Sequence, residues 1–438
     1  MTATDAPPGI PSPPRLAAWL NDHIPGGPVE LTDIQLIAGG RSNLTYRLTV
    51  SEVPGAKGAE EAKGAKEGEE AKEGEEAKGA KGAKGTEGTG DRRLLVLRRP
   101  PLGHVLPTAH DMSREFRVLS ALAGTQVPVA PLVAACTDDE VIGAPFYVME
   151  HVPGVVLRSR ADTKVLTETQ AADLSRCVAD MLAAIHGVDV AAVGLGDLGR
   201  GAGYLRRQLD RWQRQWELSA TREMPGYTQL VDRLTTALPA EGEVTLVHGD
   251  YRLDNALVTL DPQPRITAVV DWEMATLGDP LADLGLTLMY WTEAGEEGWL
   301  APGPKTGAPT GTRDATASPG FWTRAQFAAE YARLTGRDIS GIGYYVAFGY
   351  FKLAVVAEGI HARYLQHQTV GEGFEQEGFA VPLLIARAHQ VLDCPSSTWC
   401  ARAMSSGTAK PSRSKPSPTV WRCRYRAWMP SATTASLK

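Results

Sequence analysis

The residues of this 438-residue chain best suited to chemistry lie between Thr245 and Glu273. There the chain reads His248-Gly-Asp250, four further residues, Asn255, two apolar runs, and then Asp271-Trp-Glu273. Ala256–Leu260 and Ile266–Val270 are β-forming runs, and Asp261-Pro-Gln-Pro-Arg265 between them has turn chemistry. A hairpin folded there brings Asn255, which precedes the first strand, beside Asp271, which follows the second. Asp250 lies just upstream on the entering loop. Oxygen-bearing side chains at the open end of a hairpin, with a further carboxylate nearby, suit a hard cation such as Mg²⁺. That set serves phosphoryl transfer. The metal neutralises phosphate charge as the bond to the leaving oxygen breaks. A carboxylate accepts the proton of an attacking hydroxyl or holds that hydroxyl in line. Asp250 is therefore expected to be the catalytic base or orienting group, with Asn255 and Asp271 as metal ligands. Each residue alone would serve equally well as a turn or helix cap; the joint pattern carries the reading.

The flanking sequence predicts two lobes of different make-up. Arg15–His23 reads as a short amphipathic helix with Leu16, Trp19 and Leu20 on one side. Leu31–Ile37 and Tyr46–Val50 read as strands around a loop containing Gly39, Gly40, Ser42 and Asn43, whose N–H groups could lie over phosphate oxygens. Leu94–Arg98 is the next strand. Alternation sets Arg98 with Leu94 and Val96 on one face and Arg99 with Leu95 and Leu97 on the other. A helix at Ser113–Leu122, carrying Glu115, and a strand at Phe146–Met149 complete this part. Beyond it the periodicity is helical, over Thr169–His186, Tyr204–Leu218, Tyr227–Leu238, Trp322–Thr335, Ile342–Leu365 and Phe379–Leu392. The fold class is α+β, with a β-rich first lobe and a mainly helical second.

Composition bounds the partners. A formal net charge of −6 gives no general pull toward nucleic acid or anionic membrane. Apolar runs stop far short of a membrane span, and five scattered cysteines without a C-x-x-C pair fit reduced thiols in a cytoplasmic protein. Residues 51–90 are nearly all Ala, Lys, Gly and Glu, which cannot bury enough apolar surface to order itself, and read as an inserted surface loop between two strands. Residues 396–438 carry eight Lys or Arg and no Asp or Glu, and read as a basic disordered tail. The expected organisation is thus an N-terminal extension (1–30), a first lobe (31–150, containing the insert), a helical lobe (151–395) and the tail.

The motifs His248-Gly-Asp-Tyr-Arg-Leu-Asp-Asn255 and Val270-Asp-Trp-Glu-Met-Ala-Thr-Leu-Gly-Asp-Pro-Leu-Ala-Asp-Leu284 resemble those of the aminoglycoside phosphotransferase and choline kinase-like branch of the protein-kinase-like fold. They are most similar to the phosphotransferase domains related to acyl-CoA dehydrogenase fusion proteins. The resemblance runs from about Leu31 to Leu392, without the insert. It implies ATP and Mg²⁺ as cofactors, Asp250 as the catalytic aspartate, and Asn255 and Asp271 as metal ligands. It further implies a phosphate-covering loop at Gly39–Asn43 and an adenine-contacting linker at Met149–Val152, which includes Glu150 and Val152. Asp283 resembles the aspartate that braces the catalytic loop, and His248 is expected to be structural. Kinases place a lysine on the third strand, paired with a helical glutamate. Arg98 stands in that place here, with Glu115 as its partner. Arginine stays charged and can grip phosphate through two N–H groups.

The implied reaction transfers the γ-phosphate of ATP to a hydroxyl of a small molecule. Arg206, Arg207, Arg211 and Arg214 with Trp212 and Trp216 on one predicted helix suit an anionic or acyl-bearing alcohol better than a polyamine, although solvated arginines over core tryptophans would give the same pattern. The other function class consistent with the sequence is a nucleotide-binding kinase-like scaffold without turnover. Oligomeric state is not legible.

Overall fold

The computed structural model describes residues 7–25, 28–37, 43–52, 92–102, 111–296, 314–367 and 377–394. The proposed insert, the tail, and Gly39, Gly40 and Ser42 of the glycine loop lie outside the described residues, apart from the insert's first two positions.

The first lobe is built on one antiparallel sheet of β1 (Val29–Leu36), β2 (Leu44–Glu52), β3 (Arg92–Arg99), β4 (Leu132–Cys136) and β5 (Phe146–Glu150), in the order β1-β2-β3-β5-β4. One face packs under α1 (Pro13–His23) and the short α3 (Asp139–Ile142), burying Leu16, Leu20, Tyr46, Leu48, Leu95, Leu97 and Val148 together. The other face meets α2 (Met112–Leu122), whose Val118, Leu119 and Leu122 join Tyr147 in the core that continues into the second lobe. Asp111 caps α2 by accepting from the N–H groups of Ser113 and Arg114, which fixes where Glu115 enters the first turn. β4 and α3 were not foreseen. Leu-Val-Ala-Ala-Cys has no period-two alternation to mark it as a strand, and pairing with β5 decides its state.

A short α4 (Arg160–Thr163) leads into the helical lobe, formed by α5 (Glu168–His186), α6 (Tyr204–Ser219), α7 (Tyr227–Thr236), α8 (Pro280–Tyr290), α9 (Arg324–Thr335), α10 (Ile342–Leu365) and α11 (Glu377–Asp393). A reciprocal Thr167/Gln170 capping box starts α5. α10 is buried along most of its length, and α8 crosses it closely. A Cβ at Gly285 would lie 2.5 Å from the Tyr345 backbone, so only glycine allows that approach. Among the described residues no helix is long and apolar enough to cross a membrane.

Two small ladders lie against these helices. The expected hairpin pairs β7 (Ala256–Thr259) with β8 (Arg265–Val269). A second ladder, β6 (Thr245–Val247) with β9 (Thr276–Gly278), was not anticipated because each strand has only three residues. The loop from His248 to Asn255 spans from β6 to β7, and Asp271 follows β8.

Candidate active site

The two ladders place the loop and the turn after β8 face to face. Val270 N–H donates to the Asn255 carbonyl at 3.0 Å, holding the hairpin's open end together as expected. Gly249 has φ +82°, and a Cβ there would sit 2.7 Å from the Met274 carbonyl, so loop and turn touch backbone to backbone. Asp271 itself adopts φ 69°, the left-handed region that costs a non-glycine residue strain. Its carboxylate pairs with Arg98 and is partly exposed.

Asp250 and Asn255 meet directly. The Asn255 Nδ2 group donates to the Asp250 carbonyl at 2.8 Å and to its Oδ2 at 3.1 Å. Arg252 Nε lies 3.3 Å from the same Oδ2 and 3.1 Å from Asp254 Oδ1, with its guanidinium 4.8 Å over the Tyr290 ring. Burial works against the Arg252 charge, but Asp250 and Asp254 outweigh it and hold its pKa above the usual arginine value.

The loop is braced from below. Asp283, in the first turn of α8 and 2% exposed, accepts from His248 N–H at 2.6 Å and Gly249 N–H at 2.8 Å. His186 Nε2 lies 3.3 Å from the same carboxylate, and its Nδ1 lies 2.7 Å from the Tyr331 hydroxyl. Burial would raise the Asp283 pKa, but these donors reverse the shift and hold it below the ordinary value; burial lowers that of His186. His248 Nε2 donates to the Val270 carbonyl at 3.0 Å, leaving Nδ1 to accept from Asp250 N–H at 3.3 Å. His248 is thus a fully buried bracket between loop and turn.

The first lobe contributes from above. Arg98 and Arg99 point to opposite faces, as alternation requires. Arg99 bonds the carbonyls of Gly9 and Ile142. Arg98 Nε lies 3.0 Å from Glu115 Oε2, and its Nη2 pairs with Asp271 and stands 4.0 Å from Glu273 Oε2. Asn43 Nδ2 donates to Glu273 Oε2 at 2.9 Å. Glu115 is 2% exposed. Burial pushes its carboxyl up to about 7; Arg98 opposes that, and Asp271 and Glu273 add to it. The Tyr147 hydroxyl bonds Glu115, and burial raises its own pKa.

Asp250, Asn255, Asp271, Arg98, Glu115 and Asn43 therefore converge where the lobes meet. Glu150 stands apart: its carboxylate pairs with Arg93, with Arg93 Nε 3.3 Å from Oε2. Its N–H donates to the Pro131 carbonyl at 2.8 Å. Val152 begins the crossing to β7, which Val155 and Val258 tie with paired 2.9 Å bonds. The two tryptophans of α6 are core residues, each 7% exposed, with Trp216 stacked on Tyr227. The aromatic half of the proposed substrate helix is thus not an open surface. Among the described residues no group of three or more His, Cys, Asp or Glu could hold a metal ion.

Glu273 and Arg252 stand in the motifs but had no role assigned from sequence, and Tyr147 and Lys352 were not singled out at all. Lys352 Nζ donates to the Gly249 carbonyl at 2.7 Å. Its signal was available, a lone lysine in the otherwise apolar first turns of α10. Arg252 lies within the His-Gly-Asp motif itself, but nothing in the spacing says that it turns back onto Asp250.

A two-lobed kinase-like fold with these groups at the junction defines a phosphotransferase class, and comparison with known proteins agrees. Residues 86–315 match the model of the phosphotransferase enzyme family, APH. The chain belongs to that family. It is 33% identical over 288 residues to acyl-CoA dehydrogenase family member 10 of Mus musculus, covering 65% of this chain and 26% of that protein. It is 34% identical over 275 residues to acyl-CoA dehydrogenase family member 11 of Gallus gallus, covering 62% of this chain and 34% of that one. The match thus spans about a third or less of these longer relatives. Among solved structures, one from Ralstonia eutropha, provisionally named an aminoglycoside phosphotransferase, superposes with a TM-score of 0.63 at 29% identity, covering 87% of this chain and 98% of that one.

Proposed function

We propose that the protein transfers the γ-phosphate of ATP to the hydroxyl of a small molecule, with Mg²⁺, and that Asp250 is the residue that receives or orients that hydroxyl. The convergence of Asp250, Asn255 and Asp271 carries this reading. Asn255 uses its NH₂ group on Asp250, which leaves the amide oxygen as a ligand atom; Asp271 supplies a carboxylate. These two hard oxygen donors, Asn255 and Asp271, would hold Mg²⁺. The metal, when bound, neutralises charge on the phosphates. Arg98 fills the phosphate-facing role, with Glu115 and Tyr147 fixing its base. Asn43 anchors the end of the glycine loop that would cover the phosphates. The N–H of Val152 engages no other described residue through a main-chain hydrogen bond, which suits it to an adenine edge; the Glu150 side chain serves the sheet instead.

For the acceptor, cations stand near Asp250: Arg252 directly, shared with Asp254, and Lys352 of α10, which Arg211 of α6 faces in turn. They favour an anionic or acyl-bearing alcohol over a polycation, in keeping with the names of the two dehydrogenase-family relatives. A panel of hydroxylated compounds in an ATP-consumption assay tests this; preference for aminoglycosides would refute it.

Asp250→Asn should lower Mg-ATP turnover by roughly 10²- to 10⁴-fold, the usual contribution of a general base, with nucleotide affinity retained. Unchanged turnover would exclude the role. One feature favours a non-catalytic nucleotide-binding scaffold: Arg98 pairs directly with Asp271, a proposed metal ligand. Tight Mg-ATP binding without any turnover would support that reading.

A further inference from the structure

The described fold draws its cations almost wholly from arginine; of its lysines only Lys164 and Lys352 lie among the described residues. Lys352 occupies the third turn of α10, whose neighbours Tyr350, Phe351 and Ala354 are buried. Its ammonium donates to the Gly249 carbonyl at 2.7 Å and rests 5.5 Å from the Trp212 ring of α6. The opposite end of the same peptide is held as well, since Asp250 N–H faces His248 Nδ1 at 3.3 Å. The Gly249–Asp250 peptide plane is thus clamped at both ends, and that plane sets the direction in which the Asp250 side chain leaves the loop.

Asp283 does not perform this task. It accepts from the N–H groups of His248 and Gly249, two peptides and one peptide earlier. Gly249, with φ +82°, is the position about which the next peptide could turn. A glycine hinge ahead of the working carboxylate needs its own restraint, and a charge-assisted bond to the carbonyl supplies it. The choice of lysine has a reason. A point charge on a flexible stem reaches one carbonyl between packed helices, whereas the planar fork of arginine would need more acceptors.

We infer that Lys352 is a positioning residue for phosphoryl transfer, clamping the Gly249–Asp250 peptide so that the Asp250 carboxylate faces the acceptor hydroxyl. The inference rests on the assignment of Asp250 above. The charged groups facing Lys352 are Asp250 and Arg252 of the loop, Asp283 of α8 and Arg211 of α6. Burial lowers the pKa of the ammonium, against the attraction of Asp250 and Asp283. Loss of its proton at alkaline pH therefore weakens the clamp.

The clamp and its consequence are measured separately. Labelling with [1-¹³C]Gly and [¹⁵N]Asp leaves four Gly-Asp carbonyl–amide pairs in the full chain, at 90–91, 196–197, 249–250 and 278–279. The 249–250 signal should move with pH on the alkaline side in the wild type. It should stay fixed over that range in Lys352→Arg, which remains charged. In Lys352→Met it should be displaced at every pH. Mg-ATP turnover, with water as acceptor, should fall about 10- to 100-fold in Lys352→Met, the range for losing one charge-assisted hydrogen bond. KM for Mg-ATP should stay within about twofold, because the nucleotide is gripped elsewhere. Lys352→Arg should recover part of the rate and extend activity to higher pH. A 249–250 signal that ignores both substitutions would overturn the clamp even if the wild type turns over no ATP. Displacement of that signal with wild-type turnover in Lys352→Met would overturn the catalytic consequence. Failure of Asp250→Asn to affect turnover, with the signal responding as expected, would instead sink the assignment of Asp250.

Discussion

The two sides of the junction hold their functional groups by different physics. Below, the loop at Asp250 is fixed through its backbone: Asp283 takes two N–H groups, His248 bridges to Val270, and Lys352 holds a carbonyl. Above, Arg98 is fixed only by side chains, through Glu115 and Asp271, with Glu273 near. Backbone bonds to buried partners specify one geometry, since leaving any unmade costs the full desolvation of that group. Ion pairs at a lobe boundary can be exchanged, one carboxylate for a phosphate, with little change in the count of charge contacts. The loop side is therefore the rigid half of the site and the Arg98 side the exchangeable half.

The comparison breaks if the loop's brace is dispensable. Asp283→Ala strands two buried N–H groups, each worth about 1–3 kcal/mol, and should destabilise the protein by roughly 3–5 kcal/mol in urea unfolding. A loss below about 1 kcal/mol would show that water or a neighbour replaces the carboxylate, and that the loop is not rigidly specified.

Next in size is Arg98→Met. Glu115 is 2% exposed and loses its counter-charge. The cost should be about 3 kcal/mol above pH 7, approaching the range for breaking a buried pair. It should shrink by pH 5, where the carboxyl, pushed up to about 7, is protonated and needs no partner. Denaturant titrations at the two pH values check this. A cost independent of pH would mean that Arg98 matters through packing.

Glu115→Gln sharpens the same point. The folded pKa of about 7 lies above the ordinary 4.5, so the folded state holds the proton more tightly than the unfolded chain. The stability contributed is complete below the unfolded value and lost as pH rises through the folded one. The wild type should therefore lose a few degrees of Tm between about pH 4.5 and 7 that Glu115→Gln keeps. Parallel Tm profiles for the two proteins would contradict it. The smallest effect belongs to Asn43→Ala, which removes one bond to Glu273 and should cost about 0.5–1.5 kcal/mol, with a weaker hold on Mg-ATP.

Much of the rigid half was legible because it is local in sequence. The hairpin between Asn255 and Asp271 follows from two β-runs and a turn, and with it the bond from Val270 N–H to the Asn255 carbonyl at its open end. The pairing of Arg98 with Glu115 was also readable, because strand alternation and the helical pattern of α2 name the faces that meet. The β6–β9 ladder was not: three residues carry no periodicity, and the partner lies beyond the hairpin. The tryptophans of α6 showed the limit of pattern reading, since a basic aromatic helix face looks the same whether its rings line a cleft or fill a core.

By itself the sequence determined the fold class and the hairpin and proposed Asp250, Asn255 and Asp271 as its oxygen-bearing groups, because spacing along the chain and side-chain chemistry suffice for that much. Only the tertiary structure decided that Arg252 turns back on Asp250, that the Glu150 side chain pairs with Arg93, and that Lys352 reaches the loop from α10. Those contacts join residues whose approach is set by how helices and sheets pack, where Gly285 lets α8 and α10 close together, and no local pattern records that distance.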